Sequence, residues 1–172
     1  MIESAGPVDP QFSVLSVRHV DGKQLVVMGN CSVHYCGGYQ RGLVSADYFG
    51  HFATALQADL DAGDGHPPFV GMMSNGTSGN TGAIERNGRS YPPFEWMKVS
   101  SRILADETLQ KLKTIEYRRN TPLAMHEEEL TLAVRRPDSE RLAWASKMQK
   151  VPPKDHPHRW TSVYVHKNGI FG

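Results

Sequence analysis

Two short segments contain the residue types best suited to chemistry: "CSVHYC" at 31–36 and "SNGTSGNTG" at 74–82. The first places the imidazole of His34 between two thiols, and both kinds of group bind zinc or take part in catalysis. The second consists of small polar residues and glycine, which lets main-chain N–H groups approach a bound anion or oxyanion closely. The two segments can form one site only if the fold brings them together.

Each segment also has a structural interpretation that needs no ligand. A stretch of glycine, serine and asparagine is usually a plain surface loop, and this one lacks the lysine of a phosphate-binding loop. A histidine at the end of a strand is usually part of the hydrogen-bonded structure. For Cys31 and Cys36 we favour two small buried residues on a strand over a Cys-His-Cys zinc site, because no second pair of ligands stands out.

The first part of the chain predicts a β-hairpin. Residues 12–20, "FSVLSVRHV", alternate apolar and polar side chains, as a half-buried strand does. Asp21-Gly22 is a tight-turn signal, and "KQLVVMGNCSVHY" then resumes in strand-forming residues that reach His34. The continuously apolar run 25–28 predicts that this second strand is covered on both faces.

The chain then changes to a helical period. Apolar residues recur at helical spacing at Phe49, Phe52, Ala53, Leu56 and Leu60. Ser45 or Asp47 can cap the start of this helix, and Gly63 can end it. "PPFVGMM" follows as a short apolar strand, so the order is strand, helix, strand, with a right-handed crossover as the default.

This βαβ arrangement gives a reason to expect a site. If the strands ending at His34 and Ser74 are parallel neighbours, their carboxyl ends lie at one edge of the sheet, where open α/β sheets bind ligands. We therefore expect His34 and residues 75–82, hereafter the glycine loop, to face one crevice. The candidate substrate-binding residues are Asn75, Gly76, Thr77, Ser78, Gly79 and Asn80.

The remainder of the chain predicts a helix at about 93–117, a strand in "EEELTLAVRR" and a helix that starts with a capping Asp138. The tail, residues 151–172, is irregular apart from a possible strand at 162–166. The predicted fold class is α/β, with a mixed, partly parallel sheet and flanking helices. We expect one domain, 1–172, which is incomplete.

Composition excludes several functions. The 172 residues suit one domain, and 19 basic against 18 acidic residues leave a net charge of +1, which favours neither nucleic-acid binding nor an anionic membrane surface. No apolar run is long enough to predict a transmembrane helix, and no signal peptide is visible at the N-terminus. The compartment is therefore left open.

Three ordered segments, "GNCSVHYCGG", "LVSADYFGHFATALQ" and "PPFVGMMSNGTSG", resemble the N-terminal catalytic domain of the neutral/alkaline non-lysosomal ceramidase family. The match covers about the first half of the chain. The resemblance implies a zinc-dependent amidase that cleaves the N-acyl bond of ceramide. For a full-length parent protein it implies a secreted or cell-envelope location.

The resemblance also assigns positions. His34 matches the family's second zinc-binding histidine, and Ser45-Ala46-Asp47 matches the segment that opens the next helix. Gly79 and Asn80 match a Gly-Asp pair, and Gly82 falls where the family has its catalytic serine. The family's first zinc histidine lies in a His-x-His-Ser-Gly segment that is absent here, and its glutamate and tyrosine ligands lie further downstream.

Because of these departures from the family pattern, we do not expect a complete enzyme. We expect a fragment of a ceramidase-like amidohydrolase, with His34 as a surviving metal ligand, an incomplete zinc site and no assigned catalytic residue, which is inactive alone. The alternatives are a non-catalytic interaction module on the same scaffold and another amide or ester hydrolase. An incomplete sheet would also leave an unpaired edge that favours a partner chain or self-association.

Overall fold

The computed structural model describes residues 6–37, 42–60, 68–83, 89–134 and 136–156. The chain divides into two compact units, Met1–Arg119 and Asn120–Gly172. In chain order the strands and helices are β1 (Phe12–Arg18), β2 (Gln24–Cys31), α1 (Asp47–Asp59), β3 (Val70–Asn75), α2 (Glu95–Leu112) and α3 (Ser139–Gln149).

The first unit contains a three-stranded sheet in the order β1-β2-β3. The hairpin strands β1 and β2 are antiparallel, whereas β2 and β3 are parallel and are joined through α1. The α/β class and the mixed, partly parallel sheet with flanking helices are confirmed.

Strand β2 is shorter than predicted, because it ends at Cys31 rather than at His34. Its partner β3 ends at Asn75, opposite Cys31, and the N–H of Gly76 donates to the Cys31 carbonyl at 2.9 Å. Since β1 starts and β3 ends opposite Cys31, the residues after Cys31 have no strand with which to pair. Cys31 is buried on the strand as predicted, but Cys36 lies beyond its end.

Both helices of the first unit pack on one face of the sheet. Val27 of β2 clusters with Phe52 and Leu56 of α1 and with Ala105 of α2, and none of the four side chains is accessible to solvent. This packing supplies the main apolar burial of the unit. The helical spacing of the apolar residues in α1 therefore predicted its buried side correctly.

The opposite face of the sheet, here called the open face, is apolar but exposed. Leu15 of β1 and Met72 of β3 lie in one row on either side of Met28, and they are 55% and 41% exposed. The prediction that residues 25–28 are covered on both faces is therefore wrong. An apolar run does not reveal whether a second layer is present.

The second unit contains one confirmed helix and no strand among its described residues. Asp138 caps α3, since its carboxylate accepts a hydrogen bond from the Arg141 N–H at 2.7 Å. The predicted strand around Leu130 and Leu132 is wrong, because these side chains are 66% and 80% exposed and lie in irregular backbone. Alternating side chains form a strand only when another strand provides hydrogen bonds.

Helix α1 ends at Asp59, four residues before the predicted end at Gly63, which itself lies outside the described residues. The predicted strand at 162–166 also lies outside them.

No helix within the described ranges combines sufficient length with sufficient hydropathy to cross a bilayer.

Candidate functional site

The two segments selected from the sequence meet at the carboxyl ends of β2 and β3, hereafter the carboxyl edge. The main-chain N–H of His34 donates to the carbonyl of Thr81 at 2.8 Å. His34 is half-buried, and its ring lies against that of Tyr35 with 3.9 Å between centroids. The predicted adjacency of His34 and the glycine loop is present, although His34 lies in an irregular segment rather than on a strand.

Most main-chain donors of the glycine loop are already used within the protein. The N–H groups of Ser78 and Thr81 donate to carbonyl oxygens of the loop itself, at 2.9 and 3.1 Å. The side-chain amide of Asn75 donates to the hydroxyl of Ser78 at 2.9 Å, and that of Asn80 donates to the Pro7 carbonyl at 2.9 Å. The loop is therefore closed by its own hydrogen bonds.

Three N–H groups of the loop differ from the others. No hydrogen bond within the described residues uses the N–H of Gly79, Asn80 or Gly82. Gly79 is exposed, and a Cβ added there would meet no heavy atom within 4 Å. If the loop donates to a ligand through its main chain, these are the donors available for it, and those of Gly79 and Asn80 are adjacent.

Sequence reasoning missed Ser32, which fixes the start of the glycine loop. Its side chain is 1% exposed, and its hydroxyl donates to a carboxylate oxygen of Asp9 at 2.9 Å while accepting from the Thr77 N–H at 3.1 Å. Gly76 approaches the Ser32 hydroxyl so closely that a Cβ could not fit unless Ser32 moved. Hydrogen bonds from the Gln11 N–H and then from Ser32 lower the pKa of Asp9. The Ser32 hydroxyl therefore has a structural role: its hydrogen bonds tie the start of the glycine loop to Asp9.

The prediction that Ser45 or Asp47 caps α1 is wrong, because Ala46 is the capping residue and no side-chain hydrogen bond caps the helix; Asp47 has a different role. Its carboxylate, 5% exposed, accepts hydrogen bonds from the N–H groups of Cys36 at 2.8 Å, Gly37 at 2.9 Å and Tyr48 at 2.7 Å. Asp47 also has a φ of 50°, a left-handed conformation that is unusual for a residue with a side chain. A buried carboxylate needs such donors to replace water, so Asp47 ties α1 to the end of the "CSVHYC" segment.

Tyr48, the next residue of α1, makes a second tie to the same segment. Its hydroxyl donates to the Val33 carbonyl at 2.7 Å and lies 3.7 Å from the Cys31 sulfur. Burial, and then the neighbouring Cys31 thiol, raises the pKa of the Tyr48 phenol above its ordinary value. Tyr48 therefore keeps its proton and remains a donor.

The cysteines lack the features of an activated nucleophile. Both are free thiols. Burial raises the pKa of Cys36 to about 11, and the Asp47 carboxylate raises it as well, although a hydrogen bond with Ser100 at 3.7 Å acts in the opposite direction. Because the thiolate is the reactive form, the raised pKa makes Cys36 less reactive at neutral pH than an ordinary thiol.

The described residues do not fit a zinc centre. They contain no group of three or more histidine, cysteine, aspartate or glutamate side chains that could hold a metal ion. His34 therefore belongs to no such group among these residues, whereas catalytic zinc needs three protein ligands. Gly82, at the position of the family's serine, is exposed and has no side chain that could act as a nucleophile.

A separate cavity lies at the opposite end of the sheet. It has a volume of about 380 Å³ and is lined mainly by the ends of α1 and α2, with Gln24 from the start of β2. Leu60, Leu109 and Leu112 supply its apolar wall. None of the site residues predicted from the sequence lines it.

Comparisons with protein-family models, curated proteins and solved structures found no match for this chain. The assignment of the chain to the ceramidase family therefore stays a prediction.

Proposed function

We propose that this chain forms part of the substrate rim of an amidohydrolase resembling neutral ceramidase, and that it binds the N-acyl amide of a sphingoid lipid without hydrolysing it. The observation that supports this most directly is the 2.8 Å hydrogen bond that joins His34 to Thr81 of the glycine loop. It joins the segment that carries His34 to the glycine loop at the edge where α/β sheets bind ligands.

In this proposal, the adjacent N–H groups of Gly79 and Asn80 donate to the carbonyl oxygen of the substrate amide. His34 is half-buried at the same carboxyl edge, and in this proposal its imidazole contacts the polar head of the lipid. Zinc would require ligands from outside the described residues, so no step of the proposal depends on it.

The lack of turnover follows from the candidate nucleophiles that the two segments offer. The Ser32 hydroxyl already donates to Asp9, the Cys36 thiol stays protonated, and Gly82 offers no side chain. Amide hydrolysis needs an activated nucleophile or water. The rim can therefore hold an amide but cannot attack it.

Calorimetric titration with N-acetylsphingosine tests the proposal. We expect saturable binding to the intact chain, at least tenfold weaker binding to His34→Ala, and no release of acetate. The matched control is His126→Ala, which removes an exposed histidine of the second unit and should leave the affinity unchanged. Equal binding by wild type and His34→Ala would overturn the proposal, as would rapid turnover with one tightly bound zinc per chain.

A second candidate function is self-association through an edge of the sheet. Both outer strands have an unpaired edge within the described sheet. A register shift beside Arg18 protects the edge of β1 against pairing with another chain. The edge strand β3, "VGMMSN", contains no charge, proline or register shift. We propose that β3 pairs with β3 of a second copy, antiparallel around a two-fold axis.

Sedimentation velocity over a range of concentrations tests this candidate. We expect the wild-type chain to dimerise and Met72→Lys, which places a charge on β3, to remain monomeric. Leu15→Lys is the matched control, because Leu15 lies in the same row of the open face but on the other edge strand. A wild-type monomer at every concentration would contradict the candidate, and so would equal effects of the two lysines.

A further inference from the structure

The segment that carries His34 is held on both sides by the first turn of α1. On the N-terminal side, the Tyr48 hydroxyl donates to the Val33 carbonyl at 2.7 Å. On the C-terminal side, the Asp47 carboxylate accepts from the N–H groups of Cys36 at 2.8 Å and Gly37 at 2.9 Å. Residues 33–37 have no regular secondary structure, so these ties replace the ladder hydrogen bonds that a strand would provide.

The two anchoring side chains are themselves fixed. Tyr48 is 1% exposed and belongs to a buried cluster with Cys31 and Met97. Asp47 is held in its left-handed conformation, and such conformations persist only where the surroundings determine them strongly. Ser45 contributes by accepting a hydrogen bond from the Asp47 N–H at 3.0 Å.

We infer that Asp47 and Tyr48 are positioning residues for His34: they fix the backbone on either side of it and thereby set the imidazole relative to the glycine loop. This inference rests on the proposed function, in which His34 contacts the ligand. Neither residue touches the ligand itself. Their effect passes through the backbone of residues 33–37 and through the His34–Thr81 hydrogen bond.

Tyr48→Phe is the central test, because it removes one hydroxyl and keeps the buried ring. Its matched control is Thr108→Val in α2, which also removes a buried hydroxyl that donates to a main-chain carbonyl, here that of Leu104 at 2.8 Å. The readouts are the His34 ring resonances and the hydrogen-exchange rate of the His34 N–H in the ligand-free chain. We expect Tyr48→Phe to shift the ring resonances and to speed exchange about tenfold, and Thr108→Val to change neither.

Asp47→Asn provides a second variant, since an amide cannot accept from both Cys36 and Gly37 through two oxygens. We expect faster exchange of the Gly37 N–H together with a shift of the His34 ring resonances. If Tyr48→Phe and Asp47→Asn lower the unfolding midpoint as Thr108→Val does but leave the His34 signals unchanged, the two residues are only structural and the inference is wrong.

The outcomes of the two proposals can be separated. The His34 signals are measured without ligand, so they test positioning alone. A chain that binds no N-acetylsphingosine but whose His34 signals respond to Tyr48→Phe would overturn the proposed function and leave the positioning role in place.

Discussion

At the carboxyl edge of the sheet, buried side chains bond directly to the main chain of the segments that carry His34 and the glycine loop. Asp47, Tyr48 and Ser32 all do so. At the opposite end, polar side chains bond to one another: the Tyr117 hydroxyl lies 2.7 Å from that of Ser16 and accepts from the Gln24 amide at 3.0 Å. That end also has the open cavity.

The difference bears on where a defined geometry can be maintained. Bonds to the main chain fix the path of the backbone, so the groups that follow it are held in place without a ligand. A network of side chains can exchange partners by rotating, because hydroxyl and amide groups are both donors and acceptors. This is why the proposed function places recognition at the carboxyl edge, although the cavity is at the other end.

The largest expected effect tests the main-chain ties. Asp47→Ala removes the acceptor of three N–H groups, one buried and two partly buried, and should lower the free energy of unfolding by about 3 kcal/mol. Tyr117→Phe at the opposite end should cost only about 1 kcal/mol. Urea unfolding of both variants measures the contrast, and equal losses would contradict it.

The next effect concerns the close approach at the start of the glycine loop. Gly76→Ala would force the Ser32 hydroxyl away from Asp9 and Thr77, and should cost about 2 kcal/mol. Gly79→Ala faces open space and should change the unfolding free energy by less than about 0.5 kcal/mol. Thermal unfolding that ranks Gly79→Ala as the more damaging change would show that the tie at Ser32 is misassigned.

The smallest expected effect is a dependence on alkaline pH. The pKa of Cys36 is raised from 9.0 to about 11 in the folded chain, so its neutral form is favoured by folding. The corresponding stability is complete below pH 9.0 and is lost as the pH rises towards about 11. We expect Cys36→Ala to reduce the pH dependence of the unfolding midpoint over that interval. An unchanged pH dependence would show that Cys36 is not the group responsible.

The sequence predicted the parts of this fold that depend on local pattern. The period of α1, the cap at Asp138 and the parallel pairing of β2 with β3 all came from residue spacing, and that pairing led to the expected meeting of His34 with the glycine loop. The ties from Asp47 and Tyr48 could not be predicted, because they depend on a left-handed backbone at Asp47 and on contacts across the fold.

The predicted strand at 127–136 shows that a clear local pattern can also mislead. Its alternation of apolar side chains is clear, yet Val134 is 72% exposed and the described residues beside it form no strand. A helix completes its hydrogen bonds internally, whereas a strand needs a neighbour that its own sequence does not specify.

The most direct test of ligand binding at the carboxyl edge follows main-chain ¹H–¹⁵N resonances of both ends of the sheet during a titration with N-acetylsphingosine. We predict saturable shifts at Gly79, Asn80 and His34, with Leu109 and Leu112 beside the cavity unchanged. Shifts confined to Leu109 and Leu112, or no shifts at either end, would contradict the assignment of ligand binding to the carboxyl edge.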